Sequence, residues 1–238
     1  MPSYTFRSAG TTSTAGSPGD PAGKTSGDLL LMKAAARAAT ETFNGAPTGW
    51  TLLKDTSTTT KEQLALMARI ATGDANDTVT SYDFWSGTSN NLTQIAAFSG
   101  DVYTDLATIV AHSVVAGSTD DTADLPYSAL TITTDNCLVV SLGQKTKTAT
   151  SDGATLTDPS ELGTRINYTI TNGTTQYHIW NYSQQTTATN IAGGIWDQSI
   201  EESKNYASIV VALKTAAAGA LIAKSLLRPF AVIRASNY

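Results

Sequence analysis

The stretch "INYTITNGTTQYHIW" restricts the fold of this chain more tightly than any other. Ile166, Tyr168 and Ile170 alternate with polar residues, "NGTT" follows, and Tyr177 and Ile179 resume the alternation. A period of two puts every second side chain on one face of a strand. Asn-Gly between two such runs is the strongest short-range hairpin signal, because both residues tolerate positive φ. An antiparallel hairpin turning at Asn172-Gly173 is therefore expected.

Strand-length segments separated by turn residues recur at 49–57, 62–72, 77–85, 90–100, 129–143, 164–183 and 205–215. A short N-terminal strand is expected near 4–7. Many short strands with turn clusters between them favour a sandwich or barrel over βαβ units. Segment 101–117 mixes β-branched and helix-forming residues, so its periodicity fits either structure. By eye, no repeat of about 20–50 residues is evident.

The tail is rich in Ala and Leu until Pro229. The expected organisation is a β-sandwich domain over 1–215 and a C-terminal arm over 216–238. Leu221, Ile222, Leu226, Leu227, Phe230, Val232 and Ile233 make that arm apolar. Large apolar patches mark association surfaces, so the arm is expected to cover its own domain, pair with a sister subunit or dock on another protein. The intermolecular options are favoured because the 1–215 domain is expected to be complete without it. Free termini fray unless tied down, and both ends are expected to be held in an assembly.

The stretch "GDPAGKTSGDLLLMKAAARAATE" raises the question of a phosphate-binding loop. In G-x-x-x-x-G-K-[ST] the first glycine would stand where Pro18 is. Such a loop also follows a buried strand, and the preceding "SAGTTSTAGSPGDPA" is polar. Nucleotide binding is not expected. The following run favours a helix by residue type, whereas the alternation of Leu30, Met32, Ala34 and Ala36 fits a strand equally well.

Charged residues make up only 15% of the chain and the net charge is −5 with no basic run, against about 25% charged in an average domain. Nucleic acid needs clustered Lys and Arg, so it is not an expected partner. No uninterrupted apolar run approaches the ~20 residues that span a bilayer, and "MPSYTFRSAGTTS" lacks the apolar core of a signal peptide. Synthesis in a cytoplasm and no membrane partner are expected.

Few residues invite a catalytic reading. His112 and His178 lie in separate segments, and Cys137 in "DNCLVVSLG" reads as a small buried hydrophobe. Without a Cys/His cluster no zinc site is expected. Acidic groups occur at Asp74/Asp77, at Asp120/Asp121/Asp124 and at Asp152/Asp158/Glu161, none in an EF-hand pattern; they read as turn residues. A glycosidase needs two carboxylates facing one cleft, for which Asp83 beside Trp85, and Asp197 with Glu201 and Glu202, are the candidates. Trp85, Trp180, Trp196, Tyr103 and Tyr182 would either stack on sugars or fill a core. No catalytic, cofactor-binding or metal residue is assigned.

Five motifs occur in a recurring order: "SGDLLLMKA" (26–34), "APTGWTLL" (46–53), "LMARIATGDANDTVTSYDF" (66–84), "TQIAAFSG" (93–100) and "YASIVVAL" (206–213). The set resembles a jelly-roll-like β-sandwich family of bacteriophage and prophage virion structural proteins. It departs from that pattern in the long segment 143–163 and in the arm. The resemblance implies that 27–37 is a strand, that Trp50 is core, and that Lys24 is a solvated loop charge. It also implies an all-β, two-sheet antiparallel sandwich of jelly-roll type in a virion protein. The expected function is then non-enzymatic capsid decoration or cementing, without cofactor, as a homo-oligomer in contact with the major capsid protein or tail proteins. The alternative is a glycan-binding receptor module of a tail fibre or baseplate, recognising a host-surface glycan. A polysaccharide-degrading enzyme is the third reading.

Overall fold

The computed structural model describes residues 1–37, 42–56, 62–73, 77–86, 92–122, 124–146, 156–171, 176–198 and 204–216. Leu29, Leu30, Leu31, Met32, Ala34, Ala35 and Ala36 are all completely buried. A helix with one wet face cannot bury consecutive residues in this way, but a strand covered on both faces does. The stretch that raised the nucleotide question is thus a central strand, β2 (Leu29–Arg37).

The first sheet also contains β1 (Tyr4–Ala9), β3 (Thr51–Asp55), β4 (Glu62–Ile70) and β5 (Leu92–Gly100), in the order β1-β5-β2-β4-β3. The second contains β6 (Val110–Thr122), β8 (Cys137–Thr146), β10 (Thr164–Thr171), β11 (Gln176–Gln185) and β13 (Lys204–Lys214), in the order β10-β11-β8-β13-β6. Every neighbouring pair is antiparallel. A small third sheet joins β7 (Leu125–Tyr127), β12 (Gly194–Gln198) and β9 (Leu156–Thr157).

The all-β, two-sheet antiparallel sandwich expected from the sequence is present. Its connectivity is sequential: the chain completes the first sheet before it enters the second. A jelly roll instead carries successive strands back and forth between sheets. The hairpin also forms, with Tyr168 opposite Ile179 and Thr171 opposite Gln176; Asn172-Gly173 lies outside the described residues, as does 217–238 of the expected arm.

Alternate residues of the central strands enter separate cores. Leu29, Leu31, Leu66 and Phe98 meet Leu138, Val140, Trp180 and Ile209 between the two sheets. On the outer face of the first sheet, Leu30, Met32 and Met67 are covered by Trp50, Val79, Phe84 and Trp85. On the outer face of the second, Val139, Ile179 and Val210 are covered by Leu125, Tyr127, Ile191 and Trp196. The protein therefore has four layers, two sheets inside and two covering layers outside. Gly143 lets the outer layer close: a Cβ there would stand 2.7 Å from Leu125 Cδ2 and 3.3 Å from Trp196 Cζ3.

These outer layers account for the strand assignments that fail. The segment 77–85, expected as a strand, is irregular, and Phe84 and Trp85 use it to cover the first sheet. Only the first seven residues of β8 fall within the expected strand 129–143, because Leu130 and Ile132 belong to the cover of the second sheet. The ambiguous 101–117 divides into a turn-rich connection and the start of β6.

Each edge strand is interrupted by a bulge. The ladder skips a residue on β1 between Phe6 and Ser8, on β3 between Leu52 and Lys54, on β6 between Val110 and His112, and on β10 between Arg165 and Asn167. Bulges twist an edge and spoil it as a template for further strands. The covering layers carry much of the stability in this arrangement. Trp85→Ala and Trp196→Ala should each cost about 3–5 kcal/mol, the range for truncating a buried Trp. Leu52→Ala, at a residue 39% exposed, should stay within about 0.5 kcal/mol. Urea unfolding curves test this, and tryptophan variants as stable as the parent would remove the covering layers from the core.

Candidate functional site

The sequence-derived carboxylates fall on opposite sides of the molecule. Asp83 is exposed in the layer outside the first sheet, and Asp197 is exposed on β12 outside the second. Stacked sheets lie about 10 Å apart, and both sheets stand between these two residues. A glycosidase pair needs a separation of about 5–9.5 Å, which this placement does not supply. Glu201 and Glu202 lie outside the described residues, as do Asp74 and Asp152.

Asp77, Asp158 and Glu161 serve as ties within the fold. Asp77 is fully buried and accepts hydrogen bonds from Thr72 N at 2.9 Å, Thr72 Oγ1 at 2.9 Å and Gly73 N at 2.9 Å. Arg69 Nε stands 3.3 Å from it. Burial raises its pKa, but those hydrogen bonds and the Arg69 charge outweigh burial and hold the carboxyl below its ordinary range. Lys24 corrects an expectation: its side chain is only 8% exposed, paired with Asp20 and 3.8 Å from Asp77 Oδ2. It is a buried member of an ion cluster, because the 1–2 connection folds back over the end of β4.

Asp158 pairs with Arg165 at 2.7 Å, and Glu161 accepts the Tyr127 hydroxyl at 2.6 Å. Asp124 is half-buried, and the side chains of Asp120 and Asp121 are not described. No group of three potential metal ligands occurs among the described residues. Cys137 is buried as expected, and burial followed by the Asp135 charge pushes its thiol pKa up, away from nucleophilic reactivity.

The two histidines are far apart in environment. His112 is half-buried on β6, its Nε2 accepting from Thr133 N at 3.2 Å. His178 is buried on β11, where burial and then the Lys33 charge hold its pKa well below 6.5. Trp50, Trp85, Trp180 and Trp196 are all at most 7% exposed. Tyr182 is half-buried and stacks on Phe6 at 5.2 Å, while Tyr103 is half-buried beside Lys214.

One concentration of buried polar groups escaped the sequence reading. It lies between the two sheets, at the end where Leu gives way to Lys33, Glu62 and Gln94 on one side and Gln144, Gln176 and His178 on the other. Lys33 Nζ donates to Ile179 O at 2.9 Å. Gln144 Nε2 donates to Ala36 O at 2.8 Å and to Glu62 Oε2, and Gln176 Nε2 reaches the same Glu62 oxygen at 3.3 Å. Asn167 Nδ2 donates to Gln94 Oε1 at 2.9 Å. A lysine within "LLLMKAAA" was the visible signal, but its partners lie far away in sequence. These bonds cross from sheet to sheet and fix the relative register of the two.

The chain matches no protein-family profile, no curated protein and no solved structure.

Burying Lys33 lowers its pKa from 10.5 to about 7. Between these values the unfolded chain holds a proton that the folded protein has lost, so stability rises with pH across that window. Below about 7 both states are charged and the full desolvation cost remains. Lys33→Met should raise stability at pH 7 and flatten its rise towards about pH 10. Urea midpoints across that range decide it, and an unchanged slope would remove Lys33 from the titration. His178 acts with the same sign at lower pH: below about 6.5 the unfolded chain binds a proton that the folded site excludes, so acid destabilises.

Proposed function

We propose that this chain is a non-enzymatic structural protein of a bacteriophage virion, decorating or cementing the head surface as part of a homo-oligomer. The observation that carries the non-enzymatic part is the placement of the aromatic and acidic candidates. All four tryptophans are packing residues, and Asp83 and Asp197 are divided by the whole sandwich. The virion assignment rests on the motif order from "SGDLLLMKA" to "YASIVVAL". A low content of charge fits a surface covered by neighbours.

The glycan-binding alternative asks for an exposed aromatic row over a groove, and the four tryptophans are not available for it. Docking is assigned to the apolar arm. Its starting point is held: Val102 bridges Thr215, and Ala216 N donates to Asp101 O at 2.8 Å. The partner is the major capsid protein or a tail protein.

Screens against nucleotides, esters and polysaccharides should show no turnover. Activity abolished by Asp83→Asn or Asp197→Asn alone would overturn the non-enzymatic reading. A chain ending at Ala216 should keep its β-sheet circular dichroism and lose particle association. Full occupancy on particles by the shortened chain would show that the arm is not the anchor.

A further inference from the structure

The two sheets are built on one plan. Numbered within its own half, each sheet has five principal strands in the order 1-5-2-4-3: β1-β5-β2-β4-β3 in the first, β6-β13-β8-β11-β10 in the second. The ladders also agree residue by residue. Leu29 sits between Ile70 and Phe98, and Leu138 sits between Gln184 and Leu213. Followed across the ladders from Leu29 and Leu138, Phe98 corresponds to Leu213, and the bulge on β1 beside Phe98 corresponds to the bulge on β6 beside Leu213. On the other flank Met67 corresponds to Asn181, and the bulge on β3 beside Met67 corresponds to the bulge on β10 beside Asn181. Two residues before Leu29 and Leu138, Gly27 at φ 92° corresponds to Asn136 at φ 55°.

The covering layers repeat as well. In each half the connection between strands four and five lies in the middle of the cover. In the first half Trp85 pairs with Phe43 on one side, and Tyr82 N donates to Gly16 O on the other. In the second half β12 pairs with β9 on one side and with β7 on the other.

The halves face each other as a two-fold axis requires. β2 lies across from its equivalent β8. β4 lies across from β13, and β3 from β6. On the opposite flank, Phe98 of β5 packs on Tyr182 of β11, and Gln94 of β5 meets Asn167 of β10. The contact of β4 with β13 is thus returned by β5 on β11, and that of β3 with β13 by β5 on β10, as in an isologous interface. Glu62 and Gln176 occupy equivalent positions, opposite Arg37 and Thr146, and they touch each other at 3.3 Å. The pseudo-axis passes between them.

We infer that residues 4–100 and 110–214 are tandem duplicates of one five-stranded module, and that the inner face of each is a docking surface for another copy of that module, with unlike copies selected over like ones. Pairing of two first halves would bring Glu62 against a second Glu62 in a buried site. Pairing of unlike halves gives that carboxylate two amide donors, Gln144 and Gln176. Glu62 is therefore the residue that selects unlike pairing, as a buried polar group at a symmetry axis selects partners in other assemblies.

The test places a site for a sequence-specific protease in the exposed turn 104–108 of the full chain. The protein is folded, cleaved, unfolded in denaturant, refolded by dilution, and read by native mass spectrometry. Cleaved parent protein should return pairs of first with second half and no pair of first halves. Glu62→Gln should let first-half pairs appear. The double variant Glu62→Gln with Gln176→Glu should keep first-half pairs and exclude second-half pairs. Halves that fail to re-pair in the parent, or first-half pairs absent from both variants, would overturn the inference. If the double variant does not refold, Glu62→Gln alone decides.

Discussion

Two strands, β2 and β8, stand at the centres of their sheets with both faces buried, and the other layers follow from that requirement. An apolar strand covered on only one side would leave Leu30, Met32 and Ala34, or Val139, in water. Burying each large side chain is worth about 1.5–3 kcal/mol, so the outer faces need covers. Long connections supply them, and this is why Trp50, Trp85 and Trp196 lie in segments that link the principal strands. Trp50 and Trp85 cover one sheet, while Trp196 covers the other with its Nε1 donating to Asn181 Oδ1 at 3.2 Å.

Between the sheets the core changes character along its length. One end is filled by Leu, Phe and Trp, which are non-directional in their packing. The other end holds Lys33, Glu62, Gln94, Gln144 and Gln176, each buried. Apolar contacts alone tolerate sliding of one sheet over the other, whereas a hydrogen bond from Gln144 to Ala36 O or from Lys33 to Ile179 O does not. Buried polar groups cost stability when unpaired, so register errors are penalised. The two-fold relation between the halves makes the same surface serve as both sides of this interface.

Edge bulges and covering layers act together on the outside. The bulges lie at matching places in both halves and interrupt all four edge strands. Growth of either sheet by added strands is therefore disfavoured.

Much of this was legible in the sequence through local physics. Alternation around Asn172-Gly173 predicted the β10–β11 pair, and turn-bounded apolar runs located β3, β4, β5 and β13, because strand propensity and period-two patterning are properties of neighbouring residues. Other features depended on distant ones. Phe84 and Trp85 follow a strand-like pattern but cover a sheet, since their burial comes from Met32 and Met67 rather than from a ladder. Lys24 lies in a polar loop, yet Asp77 holds it. The acidic candidates Asp83 and Asp197 could be separated only once both sheets lay between them. The duplicated plan is carried by strand order and bulge register, while its side chains have diverged, as Lys33 against Leu142 and Glu62 against Gln176 show. The sequence by itself determined that this chain forms antiparallel β structure; the tertiary structure alone decided which faces pair, because facing requires contacts between residues far apart along the chain.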